Sequence, residues 1–203
     1  MRVTRSRREQ YSEATRAAIL EAATRRFATD GFTATGLEDI AGDIQATRGA
    51  VYHHFASKRA VFEAVLEEQE IAAITRTRAA QARESDPWRG ALAAMNEFLD
   101  LCLDPVYRRI AWLEGPIALG WSAWQAAEEK YAYAHIEEVL TGLVSAGLLD
   151  PLPVGTATHI CFTVLGSAGM ALAQAAPEDR ERLRAEYADV LGRMISGLRT
   201  RAG

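Results

Sequence analysis

Cysteine is scarce in this chain of 203 residues: only Cys102 and Cys161 occur. Both lie in apolar stretches of helical spacing, so they read as reduced, buried thiols and not as a disulfide or a metal pair. Strict apolar–polar alternation is missing over any useful length, which argues against a sheet. No uninterrupted apolar run reaches the ~18 residues that span a bilayer. The arginines at 2, 5, 7 and 8 are followed by no apolar stretch, so no secretory signal, no membrane association and a cytoplasmic location are expected. Catalytic signatures are also missing: there is no G-x-S-x-G elbow, phosphate-binding G-x-x-x-x-G-K-[ST] loop, H-E-x-x-H or pair of C-x-x-C motifs. Gly166-Ser167-Ala168-Gly169 lies among apolar residues and suits close helix packing instead of an exposed nucleophile. No catalytic residue, metal or cofactor is therefore expected. With 49% hydrophobic and 25% charged residues, the chain is neither disordered nor collagen-like and is long enough for a substantial core.

The net charge of −4 hides an asymmetry. Residues 1–60 carry ten Lys and Arg against seven Asp and Glu, whereas the remainder carries thirteen against twenty. A basic first third on an acidic body suits a polyanion met at one end. Arg2, Arg5, Arg7 and Arg8 would form a basic arm ahead of the first helix.

Spacings of three and four dominate the apolar pattern, which predicts an all-α chain of about nine helices. Ser12 would cap the first, with Ile19, Leu20, Ala23 and Phe27 on one face, and Asp30-Gly31 would end it. Thr35-Gly36-Leu37-Glu38 fits a capping box opening a short helix through Ile44. Thr47 would cap a second short helix, and Ser57 a long one with its charges outward. Asp86-Pro87 and Asp104-Pro105 each set a capping carboxylate before a proline. Gly115-Pro116 would break the chain before a helix from about Trp121 to Ala146. Two last helices are predicted near 156–175 and 177–199.

Two short helices joined by a tight turn within about twenty residues are the helix-turn-helix arrangement, whose second helix enters the major groove of DNA. Leu37, Ile40, Ala41, Ile44, Val51 and Phe55 would pack inward, leaving Thr47, Arg48, Gly49, Tyr52 and His53 outward. Arginine reaches guanine edges, hydroxyls reach phosphates, and a missing side chain at Gly49 lets backbone approach the duplex. Neighbouring His53 and His54 diverge by about 100° on a helix and do not suit a metal pair. The runs Thr35–Ala41, Thr47–Phe55 (with Tyr52-His53-His54-Phe55) and Ser57–Phe62 resemble the TetR family of bacterial transcriptional regulators over about residues 12–66. The resemblance implies that Thr35, Tyr52 and Lys58 hold phosphates, and that Thr47, Arg48, Gly49 and His53 present the recognition helix. It also implies an N-terminal helix-turn-helix DNA-binding domain over 1–60 and a C-terminal ligand-binding and dimerisation domain over 61–203. Where the family usually has a turn glycine, this chain has Gln45.

All four tryptophans fall between 88 and 124. Their bulk either fills a core or lines a cavity for a mostly apolar small molecule; the resemblance favours the cavity, with Phe98, Cys102, Trp112, Trp121, Trp124 and Phe162 as its lining. Polar groups able to orient a ligand are few: Arg109, Glu114, Tyr131, His135 and His159, each read more simply as surface or satisfied. In the last two helices Leu165, Gly169, Leu183, Tyr187, Val190, Leu191 and Met194 would form a homodimer interface. The expected protein is a ligand-responsive regulator, more simply a repressor, that binds a palindromic double-stranded DNA operator as a homodimer and is released by a small-molecule effector. A helical adaptor without DNA binding is the alternative.

Overall fold

A computed structural model of the protein describes residues 7–199. Among these residues there are nine helices and no strand; the nearest thing to a sheet is one isolated antiparallel bridge between Leu149 and Arg199. The helices are α1 (Arg7–Thr29), α2 (Leu37–Asp43), α3 (Arg48–His54), α4 (Lys58–Ala82) and α5 (Pro87–Leu101). The composite α6 follows over 105–119, then α7 (Trp121–Ser145), α8 (Val154–Gln174) and α9 (Arg180–Ser196).

The caps explain most boundaries. Thr47 accepts from the Ala50 amide at 3.2 Å, Ser57 from that of Ala60 at 3.1 Å and Asp86 from that of Arg89 at 2.8 Å. Asp104 accepts from the amides of both Val106 and Tyr107. Gly31 and Gly147 end α1 and α7 at φ +85° and +69°, where a Cβ is unfavourable. Ser12 is no cap, because α1 begins at Arg7 and runs through it. Arg7 and Arg8 therefore belong to the first helix; Arg2 and Arg5 lie outside the described residues. The capping box expected at Thr35 and Glu38 does not form: Gly36 is the cap, and with no side chain there only its amide is served, donating to Asp39 at 2.8 Å.

α6 is continuous where the sequence predicts a break at Gly115-Pro116. It winds as α over Pro105–Tyr107, widens to π over Arg108–Glu114 and returns to α over Gly115–Leu119. Pro116 stands in the first turn after the wide stretch, where its missing amide is tolerated. The chain breaks instead at Gly120, at φ +76°. Gly115 is needed for packing, since a Cβ there would lie 2.6 Å from the Trp124 ring.

One apolar core unites both halves. Phe27, Phe32 and Phe62 form a ring cluster with centroids 5.2–5.9 Å apart. The same core continues through Leu99, Ile110, Trp112 and Trp124. Trp88 belongs to a second, smaller core with Leu140, Leu143 and Leu149. The first turns of α4 supply Val61, Phe62, Val65 and Leu66 to the packing around α1–α3, so the core runs straight through the 60/61 boundary. By length and composition alone, α8 would be long and apolar enough to cross a membrane, with a mean hydropathy of 1.3 in its most apolar window. Only 28% of that window is buried. It packs on α7 and faces Trp112 through Gly169, where a Cβ would come within 2.5 Å of the indole.

Candidate nucleic-acid interface and ligand cavity

The turn between α2 and α3 is tight because Gln45 adopts φ +54°. The Gln45 amide donates to Gly42 at 3.1 Å and the Ala46 amide to Ala41 at 2.9 Å. A side chain in that region costs on the order of 1 kcal/mol, the strain a glycine avoids. The pair is fastened to α1 by Arg26, whose guanidinium donates twice to Asp43, at 2.8 and 2.7 Å, and holds that carboxyl below the usual range.

Thr47, Arg48, Gly49, Tyr52 and His53 share the exposed side of α3. Arg48 lies over the Tyr52 ring, 5.2 Å from its centroid, and donates to the Tyr52 hydroxyl at 3.0 Å. Its other terminal nitrogen pairs with Glu38 at 2.6 Å. The Tyr52 contact, then the Glu38 carboxylate, favour the charged guanidinium and set its direction before any partner arrives. At Gly49 a Cβ would meet nothing nearer than Thr47 Oγ1 at 3.8 Å, leaving the backbone open to approach. Burial and the neighbouring His53 and Arg16 lower the His54 imidazole from its ordinary range.

Two of the expected phosphate ligands are occupied elsewhere. Thr35 is only 2% exposed and its hydroxyl donates to the Gly31 carbonyl at 2.8 Å, so that hydroxyl does not face solvent. Lys58 Nζ donates to the carbonyls of Phe32, Thr33 and Thr35 at 2.8, 3.3 and 2.9 Å, above the Phe32 ring. It ties the α1–α2 loop to the start of α4. Spacing along the chain carries no signal for these contacts.

The reading head is joined to the larger half through α6. Glu114, on the π-wound stretch, accepts from the Phe32 amide at 2.8 Å and pairs with Arg109 at 2.8 Å. Gly31 closes against them, since a Cβ there would lie 2.9 Å from both Arg109 Nη2 and Glu114 Oε1. Arg59 adds a bond to the Leu119 carbonyl at 3.2 Å. Glu114 and Arg109 are thus bonded to each other. Tyr131 donates to Glu67, and His159 is exposed.

Two cavities adjoin in the larger half. One, of about 130 Å³, lies among α4, α5, α7 and α8 and is lined by Met95, Phe98, Trp112, His135 and Phe162. The other, of about 430 Å³, opens beside α7 and α8 along Trp112, Trp121, Trp124, Phe162 and Met170. Trp112, Glu128, Phe162 and Gly166 line both. Five of the six expected lining residues are there. Cys102 is not: it is fully buried at the end of α5, in the packed core.

The sequence pattern missed a buried polar cluster beside these cavities. Glu70 of α4, Glu128 of α7 and Tyr107 of α6 are each less than 7% exposed and act on one another. Burial pushes the Glu70 carboxyl up to about 7 and raises that of Glu128 as well, opposite to the outward charges expected of α4. His135 is also buried, and burial followed by Arg78 lowers its imidazole from the ordinary range against the opposing pull of Glu138.

The expected dimer stripe divides. Leu191 is 4% exposed and belongs to the internal core, as Gly169 does through Trp112. Leu165, Leu183 and Tyr187 are half-buried against the same core. Val190, Met194, Leu198 and Ile160 stay 44–55% exposed.

Comparison with known proteins agrees with this architecture. Residues 19–65 match the bacterial regulatory proteins of the tetR family, and residues 88–198 match the tetracyclin repressor-like C-terminal domain. A probable HTH-type transcriptional regulator ArpR of Pseudomonas putida is 37% identical over 109 residues, 51% of this chain and 50% of its own length. The HTH-type transcriptional regulator TtgR of the same species matches to the same extent, so the chain spans about half the length of these curated relatives. A solved TetR-family regulator from Pectobacterium atrosepticum superposes with a TM-score of 0.84 at 24% identity, covering 98% of this chain and all of the other. With both domain types matched in order along one chain, the protein belongs to the TetR family of transcriptional regulators and is not an enzyme.

Proposed function

We propose that the protein is a homodimeric repressor that reads a palindromic operator with α3 of each subunit and is released by a small, mostly apolar effector. Residues 1–60 would be the DNA-reading domain and 61–203 the effector and dimer domain. The observation that carries this reading is that one seven-residue stretch serves both sites: Trp112 lines the cavities, and Glu114 two residues on holds the loop behind the helix-turn-helix. π-wound turns have two nearby hydrogen-bonding registers and recur at functional sites. An effector that favours one seating of Trp112 would tilt the reading heads by way of Glu114. It releases DNA only by the factor by which it prefers that state.

Arg48, oriented by Tyr52 and Glu38, would read a base edge, with Thr47 and the Tyr52 hydroxyl on phosphates and Gly49 and His53 at the groove. Thr35 and Lys58 would act by shaping the loop. The exposed Ile160, Val190, Met194 and Leu198 would meet their counterparts across a two-fold axis, placing the reading heads ~34–36 Å apart on half-sites one turn of DNA apart. A DNA-bound regulator of this kind works in the cytoplasm.

The test is fluorescence anisotropy of labelled DNA from beside the protein's own gene, titrated against excess random DNA at moderate salt. Saturation at two subunits per palindrome, surviving competitor, is expected. Binding no better than to random DNA for every palindrome in the flanking sequence would refute it. A scattering mass of 22.2 kDa at micromolar concentration would remove the dimer.

A further inference from the structure

Glu128 is the one carboxylate that lines both cavities, and its Oε1 is buried without a hydrogen-bond partner among the described residues. Glu70 beside it likewise keeps Oε1 unpartnered. The groups acting on these two acids are each other, Tyr107 and Trp124, none of which is a base. Cys102, on the neighbouring end of α5, is a thiol raised by burial and by the same two carboxyls. Among the described residues the site therefore holds two acids and no cation, within walls of aromatic rings. Trp112 stands 5.8 Å from Trp124 and 6.1 Å from Phe98, centroid to centroid.

Buried carboxylates are normally paired with Arg or Lys, because an isolated charge in a low-dielectric site is strongly unfavourable. Here burial raises both carboxyls and no basic side chain faces them among the described residues, so the missing counter-charge is on neither protein partner. We propose that the cavity binds a lipophilic organic ammonium, its charge against Glu128 and its apolar body among Trp112, Phe98 and Phe162. This rests on reading the cavity as the effector site. On binding, the ammonium takes the place of the proton on Glu128, and that proton leaves to the buffer. The indole faces add the attraction of their negative π-clouds for a cation. Seven residues further along α7, about 10 Å by helical rise, His135 has two ring nitrogens that are also buried without a hydrogen-bond partner, Nδ1 lying 4.0 Å from Glu138 Oε2. An imidazole in its neutral form offers one donor and one acceptor to a polar group at the far end of the ligand.

The test is isothermal titration of the full chain at pH 7 with three probes of one skeleton: 4-phenylbutylamine, 4-phenylbutanol and 4-phenylbutyrate. Charge-assisted bonds are about twice as strong as neutral ones, so the amine should bind at least about tenfold tighter than the alcohol, with the carboxylate weakest. Titration in two buffers of different ionisation enthalpy should show net proton release on binding the amine and none on binding the alcohol. Glu128→Gln should bring amine and alcohol to within about threefold of each other. Equal binding of amine and alcohol, or a preference that survives Glu128→Gln, overturns the proposal and leaves the effector cavity standing. No binding by any probe overturns both. The probe series and the proton count need no variant, so they decide the matter even if Glu128→Gln does not fold.

Discussion

Glu114 is the best place to test whether the reading head and the cavity domain are one mechanical unit. Glu114→Ala removes an acceptor from the Phe32 amide and the partner of Arg109, each at 2.8 Å. Hydrogen bonds to charged groups contribute about 1.5–3 kcal/mol each. The Arg109 side chain is 35% exposed and regains water, so its share falls to the lower end of that range or below. The expected loss is therefore about 3 kcal/mol. For a chain of this length, each kcal/mol lowers Tm by about 2–4 °C, giving a fall of about 9 °C. Scanning calorimetry on the parent, Glu114→Ala, Arg109→Ala and the double variant measures this directly. Because the two side chains are each other's partner, the double variant should lose at least about 0.5 kcal/mol less than the sum of the singles. If effector signals pass through this contact, the single variants should also retain operator binding and respond less to effector. A Tm within about 2 °C of the parent, with additive losses, would refute the reasoning.

Gln45→Gly should raise stability by about 0.5–1 kcal/mol, since relief of positive φ outweighs the extra freedom of glycine in the unfolded chain; a lower urea midpoint would contradict it. Gly169→Ala should destabilise by about 1–3 kcal/mol, because its Cβ would fall 2.5 Å from Trp112, and Trp fluorescence should shift with it. Glu70, pushed up to about 7 from an ordinary 4.5, contributes stability that is complete below about 4.5 and is lost as pH rises through about 7. Glu128 facing it shifts in the same sense, while Tyr107 and Cys102 stay protonated across this range. The Tm advantage of the parent over Glu70→Gln should thus shrink between pH 5 and pH 8, and a constant difference would count against it. Lys58→Met should cost about 2 kcal/mol through its three carbonyl bonds, whereas Arg48→Ala should leave Tm nearly unchanged and alter operator preference. Equal loss on operator and random DNA for Arg48→Ala would make that residue a phosphate contact.

What the sequence determines alone is what is settled within one turn of chain. Thr47, Ser57, Asp86 and Asp104 cap helices because their oxygens reach amides two or three residues on, wherever the helix later packs. Gly31 and Gly147 mark helix ends for the same local reason. The helix-turn-helix and the outward set on α3 are legible because period and polarity coincide over few residues. Even local signals mislead where two options compete: Ser12 lies inside α1, and Gly36 with Asp39, instead of Thr35 with Glu38, begins α2. Tertiary structure decides the rest. Lys58 reads as a free cation along the chain, yet the α1–α2 loop folds back and gives it three carbonyls. Leu191 and Val190 are adjacent and equally apolar, but one turns into the core and the other out, according to where α9 lies on α5 and α8. Glu70 falls among the charges expected to face outward from α4, and Glu128 carries no signal along the chain. Only the packing of α4 against α7 brings them together and takes away their water, which makes them acids that wait for a cation.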